Sequence, residues 1–413
     1  MILTYKFNYT HKKLSEMAKI SKDIFNQTNY IIKTELNKTN TWIRYNKLDK
    51  IMKITTNLEN TINYQKLKAQ TSQQIIKQVD NCWDSYFKAL KQYKKTPNKF
   101  KSIPKPPNYK PKNGKNIIFF TNQNCQIKNN TLILSKDLQI NIPKYKNFKS
   151  FKCIRIIPKY NDDFEIEIVY EQQELHQINS NKIASIDLGV NTLAAVTSED
   201  FCLLYNGKQL KSISQYTHKQ IAYYQSKLTK NKMTKNIRRL YDLKNNKIKD
   251  LLHKTSTHII HNCVKHNIGT IIVGYNAQWK TSTDNGNVNN QMFCSIPHKK
   301  FLNMLQYKAK LNGITVITNE ESYTSLCDSL ALESIGFHNT YAGKRIHRGL
   351  FKSNTNKLIN ADINGSLNIM RKVVCDSYVS GIIDRGLLFN PVKISDLNRL
   401  KTFDKPFVPV IIL

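Results

Sequence analysis

The chain has 413 residues, 64 of them Lys or Arg against 29 Asp or Glu, for a formal net charge of +35. Mean hydropathy of −0.50 and 40% hydrophobic residues fit a soluble chain of two or three domains. No apolar run approaches the ~18 residues of a membrane span, and the opening MILTYKFNYT lacks the basic and apolar regions of a leader, so neither membrane insertion nor secretion is expected. This cationic excess attracts a polyanion, with nucleic acid the leading choice over a ribosomal-type or membrane-surface role.

Residues 1–9 read as a short strand. Leu14, Met17, Ala18, Ile24, Phe25, Ile31 and Ile32 then recur at helical spacing, as do Ile75, Ile76, Val79, Trp83 and Phe87, which predicts a small helical bundle over 11–93. Residues 91–115 hold nine Lys, no acid and five of the eleven Pro, and read as a basic extended linker, either a solvated loop or a phosphate-tracking arm. The runs IIFF, TLIL, CIRII and FEIEIVY within 116–172 predict an antiparallel β-barrel or sheet that the first strand joins. After Ser180 the pattern becomes α/β, with strands at 182–187, 193–197, 269–274 and 313–318 and a helix at 361–372. Between them, 208–254 carries thirteen cations against two Asp on two expected antiparallel helices, with Arg238 and Arg239 as candidate nucleic-acid contacts.

Acids are scarce, so those at element ends stand out. Asp187 ends the apolar strand IASID; its bland role is a β-turn Asp. Glu320 and Glu321 end ITVITNEE, and Asp362 sits just inside a helix start, where the helix dipole alone would account for it. Together they make an oxygen-ligand set suited to Mg²⁺, and two such ions can activate water and stabilise a phosphodiester's leaving oxygen. Tyr323, Thr324 and Ser325 follow directly as candidate phosphate contacts or a hydroxyl-rich turn, and Trp279 with Lys280 offers either a stacking pair or a buried core residue. No two of the eight Cys form a C-x-x-C pair, so no four-Cys zinc site is visible and disulfides are not expected. His253, His258, His261 and His266 crowd one helix, but no Cys or acid completes a metal set, so they read as polar-face residues.

IASIDLGVNTLAAV resembles the first RuvC-like nuclease motif of the transposon-encoded TnpB proteins, compact relatives of type V CRISPR effectors. GTIIVGYNAQWK, NNQMFCSIPHKKFLNMLQYKAKLNGITVITNEESYTS, YAGKRIHRGLFKSN and INADINGSLNIMRK follow in the order of that domain. The resemblance implies a multidomain fold: a wedge-like β-barrel (1–10 plus 94–176), an inserted helical recognition bundle (11–93), an RNase H-like nuclease domain (177–376) with a nucleic-acid-binding insertion at about 326–355, and a C-terminal tail (377–413). It further implies an RNA-guided, Mg²⁺-dependent DNA endonuclease of a transposable element, acting in the cytoplasm on the nucleoid. Its partners would be a guide RNA from the transposon end and double-stranded target DNA bearing a short flanking motif. Carried over, Asp187 and Asp362 are the first and third metal carboxylates, and Lys344, Arg345 and Arg348 are nucleic-acid contacts.

Two departures matter. Many members have Glu where this strand ends in Gly274, which cannot ligate a metal. Glu320 or Glu321 on the adjoining strand, about 4.8 Å away, is the expected replacement, with Glu321 preferred for lying nearer the strand's C-terminal end. The usual zinc-ribbon cysteines are also missing; only Cys327 remains, so no zinc is expected and 326–355 must hold by apolar packing and its basic run. Gly274 keeps open a nuclease-inactive, RNA-guided DNA-binding protein; a transposase acting on transposon ends is the third reading.

Overall fold

The computed structural model describes residues 1–143, 148, 151–160, 162–229, 233–276 and 295–400. The chain divides into two compact units, 1–173 and 174–413.

The first unit opens with β1 (Ile2–Thr10), followed by α1 (Lys12–Thr39), α2 (Tyr45–Met52) and α3 (Ala69–Lys95). His11 caps α1 by accepting from Lys13 N (3.2 Å), and Asn40 stops it in the left-handed region at φ 53°. The helices bury Ile24, Phe25, Ile32, Leu48, Ile75, Val79 and Trp83 in one core. The Trp83 indole N–H, which would be orphaned there, donates to Asn29 Oδ1 at 2.9 Å. The Pro-Lys segment is neither a free loop nor a free arm: Asn26 accepts from Lys110 N (2.8 Å) and donates to Lys110 O (3.0 Å), and Asn29 donates to Pro107 O (3.1 Å), strapping it to α1.

The expected barrel is, among the described residues, two antiparallel sheets. One runs β1–β7–β6–β2, from β2 (Ile118–Thr121), β6 (Phe151–Pro158) and β7 (Asp163–Glu171); the other is β3 (Gln126–Lys128), β4 (Thr131–Ser135) and β5 (Leu138–Asn141). Alternate residues of both, including Phe120, Leu132, Ile140, Ile154 and Ile166, point into a shared core.

The second unit is α/β. β8 (Ile183–Leu188), β9 (Thr192–Ser198) and β10 (Cys202–Asn206) form an antiparallel meander, and β11 (Thr270–Gly274) and β12 (Thr315–Asn319) add in parallel on the other side of β8. The six-stranded order is β12–β11–β8–β9–β10–β16, with β16 (Val392–Ile394) parallel to β10. α4 (Lys208–Ser226) and α5 (Lys235–Lys265) pack together, and α5 with α6 (His298–Leu311) covers one sheet face, where Ile186, Val196 and Tyr205 are buried. α7 (Ala361–Arg371) and α8 (Asp376–Asp384) cover the other, over Ala195, Leu204 and Ile272. A sheet buried on both faces needs unbroken apolar strands, which β8 to β11 supply. A third small sheet, β13 (Lys344–His347), β14 (Leu350–Lys352) and β15 (Leu358–Asn360), runs straight into α7.

The residues expected as a C-terminal tail are thus part of the fold. α8 buries Val379 and Ile382, Leu388 and Leu397 are also buried, and β16 extends the main sheet. Three-residue strands carry too little pattern to be read from sequence.

Candidate active site

β8 delivers Asp187 at its C-terminal end, and α7 crosses that end unusually closely. A Cβ on Gly365 would lie 2.8 Å from Asp187 Oδ2, so only glycine permits the approach. One residue on, Ser366 Oγ meets Ser185 Oγ at 2.9 Å. Asn360 caps α7, its side chain accepting from Asp362 N (2.9 Å) and Ile363 N (3.3 Å). That cap fixes Asp362 in the first turn, where Thr192 donates to its Oδ2 at 2.6 Å. Asp187 and Asp362, 175 positions apart by number in the sequence, therefore act on one another. Burial, then the Asp362 charge, pushes the Asp187 carboxyl up to about 7, while Arg345 and the Leu188 N–H pull the other way.

The register of β11 and β12 decides between the two glutamates. Gly274 pairs with Asn319, and Tyr275 N donates to Asn319 O at 2.9 Å, so Glu320 and Glu321 leave the sheet beside Gly274 on opposite sides. Glu320 turns to solvent. It accepts from the Ser322 hydroxyl and from Ser322 N (3.1 Å), and Lys372 Nζ reaches its carboxylate at 3.4 Å and its carbonyl at 3.0 Å. The Ser322 hydrogen bond, aided by Lys372, holds its carboxyl below the usual range. Glu321 turns inward, and burial followed by the charges of Asp187 and Glu320 pushes it up to about 8. Among the described residues its Oε2 is buried without a hydrogen-bond partner, a costly arrangement for a carboxylate. A Cβ on Gly274 would lie 2.9 Å from that oxygen and would strike Ile369. The Glu321 carboxylate thus occupies the space that a side chain at 274 would need.

Asp187, Glu321, Asn276, Ser322, Thr324 and Ser325 line a cavity of about 310 Å³. Asp362 is not among its lining residues and reaches the site through its charge on Asp187. Thr324 is spoken for: it is 4% exposed and its hydroxyl donates to Glu321 O at 2.8 Å, so it shapes the turn and is no free phosphate contact. Tyr323 stands out at 41% exposure with φ +66°, a conformation unusual for a bulky residue, and Ser325 is exposed. Lys344, Arg345 and Arg348 are exposed on or beside β13, and Arg345 is the one whose charge reaches Asp187. Arg238 and Arg239 are exposed on α5 and do not line the cavity. Trp279 and Lys280 lie outside the described residues. His258 is a structural group, its Nδ1 2.8 Å from the Tyr205 hydroxyl.

Among the described residues, no three His, Cys, Asp or Glu side chains stand close enough together to hold an ion as they are. The interactions run pairwise, Asp362 with Asp187 and Asp187 with Glu321. All the donors are carboxylate oxygens, one is unpartnered, and like charges crowd where desolvation is greatest. That chemistry fits a hard divalent cation.

Sequence reading missed the far side of α7. Asn364, Asn368 and Arg371, spaced i, i+4, i+7, form a buried polar stripe. Asn364 donates to Cys327 O (2.9 Å) and accepts from Ser329 N (3.0 Å); Asn368 donates to Thr324 O (2.9 Å) and Cys327 O (2.7 Å). Arg371 donates to Glu333 O (2.9 Å) and pairs with Asp376 (2.7 Å). One helix therefore grips the Glu321 turn with one stripe and presents Asp362 with another. The spacing was visible in INADINGSLNIMRK; its partners, some 40 residues away, were not. The basic run does not hold 326–355 together, since Lys344 to Arg348 all face outward.

Residues 167–280 match the family model OrfB_IS605, described as a probable transposase, and 298–369 match the Cas12f1-like TNB domain. The TnpB-like protein ORF457 of Acidianus two-tailed virus is 24% identical over 422 residues, spanning 89% of this chain and 84% of its own. Among solved structures, the mini-RNA-guided endonuclease CRISPR-Cas_phi3 aligns at 11% identity and a TM-score of 0.46, over 92% of this chain and 93% of its own. The Cas12f1–sgRNA–target DNA complex aligns at 14% identity and a TM-score of 0.36, over 89% and 98%. Among the described residues, no helix is long and apolar enough to cross a membrane.

Proposed function

We infer that this chain, which belongs to the TnpB family, is an RNA-guided DNA endonuclease of a transposable element that cuts by Mg²⁺-dependent phosphodiester hydrolysis. The observation that carries the reading is the unpartnered, buried Glu321 Oε2 facing Asp187 in a chain of net charge +35. Such a protein has cations in plenty to neutralise a structural acid, yet among the described residues none hydrogen-bonds this oxygen, and only the charge of Lys372 acts on it, against burial and two acids.

Asp187, Glu321 and Asp362 would hold the metal, which when bound supplies an activated water and stabilises the leaving oxygen. The protein's own contribution is orientation. Thr192 fixes one oxygen of Asp362, Gly365 brings α7 against Asp187, and Lys372 with Ser322 keeps Glu320 turned away. Ser325, which lines the cavity, and the exposed Tyr323 would meet the scissile strand, and Lys344, Arg345 and Arg348 its phosphates. Sequence choice would fall to a guide RNA made from the transposon end, with a short flanking motif read in the target duplex.

One observation favours a second reading, guided binding without cutting: among the described residues no three acids yet stand as a closed ligand set. Purifying the chain with its bound RNA, sequencing that RNA and offering a complementary duplex with Mg²⁺ separates the two. New 5′-phosphate ends support the nuclease. Retention of the duplex without cutting transfers the function to binding, and absence of any RNA refutes both.

A further inference from the structure

The 344–352 hairpin is gripped at both feet by carboxylates, Asp328 fully buried and Glu333 partly so. Asp328 is fully buried; its Oδ1 accepts from Leu330 N (3.1 Å) and Ala331 N (3.3 Å), and its Oδ2 from Asn354 N (2.7 Å), just past β14. Glu333 accepts from Asp328 N (2.7 Å) and from Ala342 N (2.7 Å), just before β13. Packing at the entry foot is tight: a Cβ on Gly343 would lie 3.0 Å from Asp328 Oδ2 and strike the Phe351 ring. The preceding carbonyl, Cys327 O, is the one that Asn364 and Asn368 of α7 hold. A continuous set of hydrogen bonds thus runs from the helix bearing Asp362, through the 327–333 turn, to the hairpin. In the hairpin's sheet Arg345 pairs with Phe351, and Phe351 with Ile359, three residues before Asp362.

We propose that Asp328 is a positioning residue: with Glu333 it gathers five backbone N–H groups and so sets the hairpin, and Arg345 on it, beside the carboxylate site. A buried carboxylate is tolerated only when its oxygens are filled, and charge-assisted bonds to N–H groups are strong and directional. Two acids here do the cross-linking of a loop that a metal or disulfide otherwise does. The functional half of the inference rests on the proposed reading of the hairpin as a nucleic-acid contact.

The test uses the full chain and two readouts, neither of which needs cleavage. In amide hydrogen exchange, Asp328→Ala and the milder Glu333→Gln should speed exchange across 328–354 by about tenfold or more, with β8 and β11 unchanged. Unchanged protection in 328–354, equal loosening of β8 and β11, or faster exchange of the unmodified chain in excess EDTA would each overturn the proposal. In binding of a labelled 20-nucleotide mixed-sequence single-stranded DNA, Asp328→Ala should weaken affinity about tenfold in the unmodified chain. It should weaken affinity less than about twofold once Lys344→Ala and Arg345→Ala are present. An equal loss in both backgrounds would mean that Asp328 supports the fold generally and does not position these cations; no loss in either would remove it from nucleic-acid binding. A chain that never cuts DNA would sink the proposed function and leave both readouts standing.

Discussion

Replacing Glu321 by Gln is expected to stabilise the metal-free protein at pH 8. The folded chain holds this carboxyl at about 8 against 4.5 for the free group. Between those values the folded state retains a proton that the unfolded chain has released, so stability falls as pH rises through the window. At 1.36 kcal/mol per unit the ceiling is about 5 kcal/mol. Solvent reaching the half-buried side chain and proton sharing with Asp187 reduce the expected gain to about 1–3 kcal/mol. For a unit of this size, 2 kcal/mol is roughly 4–8 °C in Tm. Gln keeps the size and removes the charge that Asp187 and Glu320 oppose. Thermal melts in EDTA at pH 8 should place the variant above the unmodified protein, and the two should converge near pH 4.5. Adding millimolar Mg²⁺ should raise the unmodified protein and leave the variant in place. A variant that melts lower at pH 8 in EDTA would mean that the Glu321 carboxylate has a stabilising partner, and the reasoning from its burial would fail.

Asp187→Asn and Asp362→Asn should each slow cutting of a guide-complementary duplex by about a thousandfold or more and leave duplex retention within about threefold; cutting at the unmodified rate by either removes it from the site. Glu320→Gln should change stability by less than about 0.5 kcal/mol and cut nearly normally, and a dead Glu320→Gln beside an active Glu321→Gln would reverse their roles. Gly274→Glu, which restores the acid common in the family, should lower stability by about 1–3 kcal/mol, because Ile369 and Glu321 already fill the space; an unchanged Tm would show that the neighbours yield. Elemental analysis after dialysis should find well under one zinc per chain, and a stoichiometric ion would overturn the expectation drawn from the missing cysteine pairs.

Much of the second unit was legible because its signals are local. IASID is a buried strand ending in an acid, and Asn-Ala-Asp announces a capped helix whose first turn carries Asp362. The choice of Glu321 over Glu320 needed the Gly274–Asn319 register, since alternation only says that the two diverge. Asp328 and Glu333 carry no signal in the sequence, because the partners that tie them to the hairpin, Asn354 and Ala342, lie 26 and nine positions away. For Thr324 the sequence left a phosphate contact and a hydroxyl-rich turn open, and the hydroxyl is used within the turn it makes. The Pro-Lys segment has the composition of a free linker, and it is the Lys22, Asn26 and Asn29 side chains of α1 that tie it down.

β16 bears on how far this chain can be trimmed. It is three residues long, yet it lies against β10, whose Leu203, Leu204 and Tyr205 are buried. Ending the chain before Pro391 would leave the backbone groups on the β16 side of β10 unpaired and bare an apolar edge, the template from which sheets grow between molecules. Truncations or fusion junctions placed beyond β16 keep that seam closed, whereas a junction between α8 and β16 would trade a few residues for self-association.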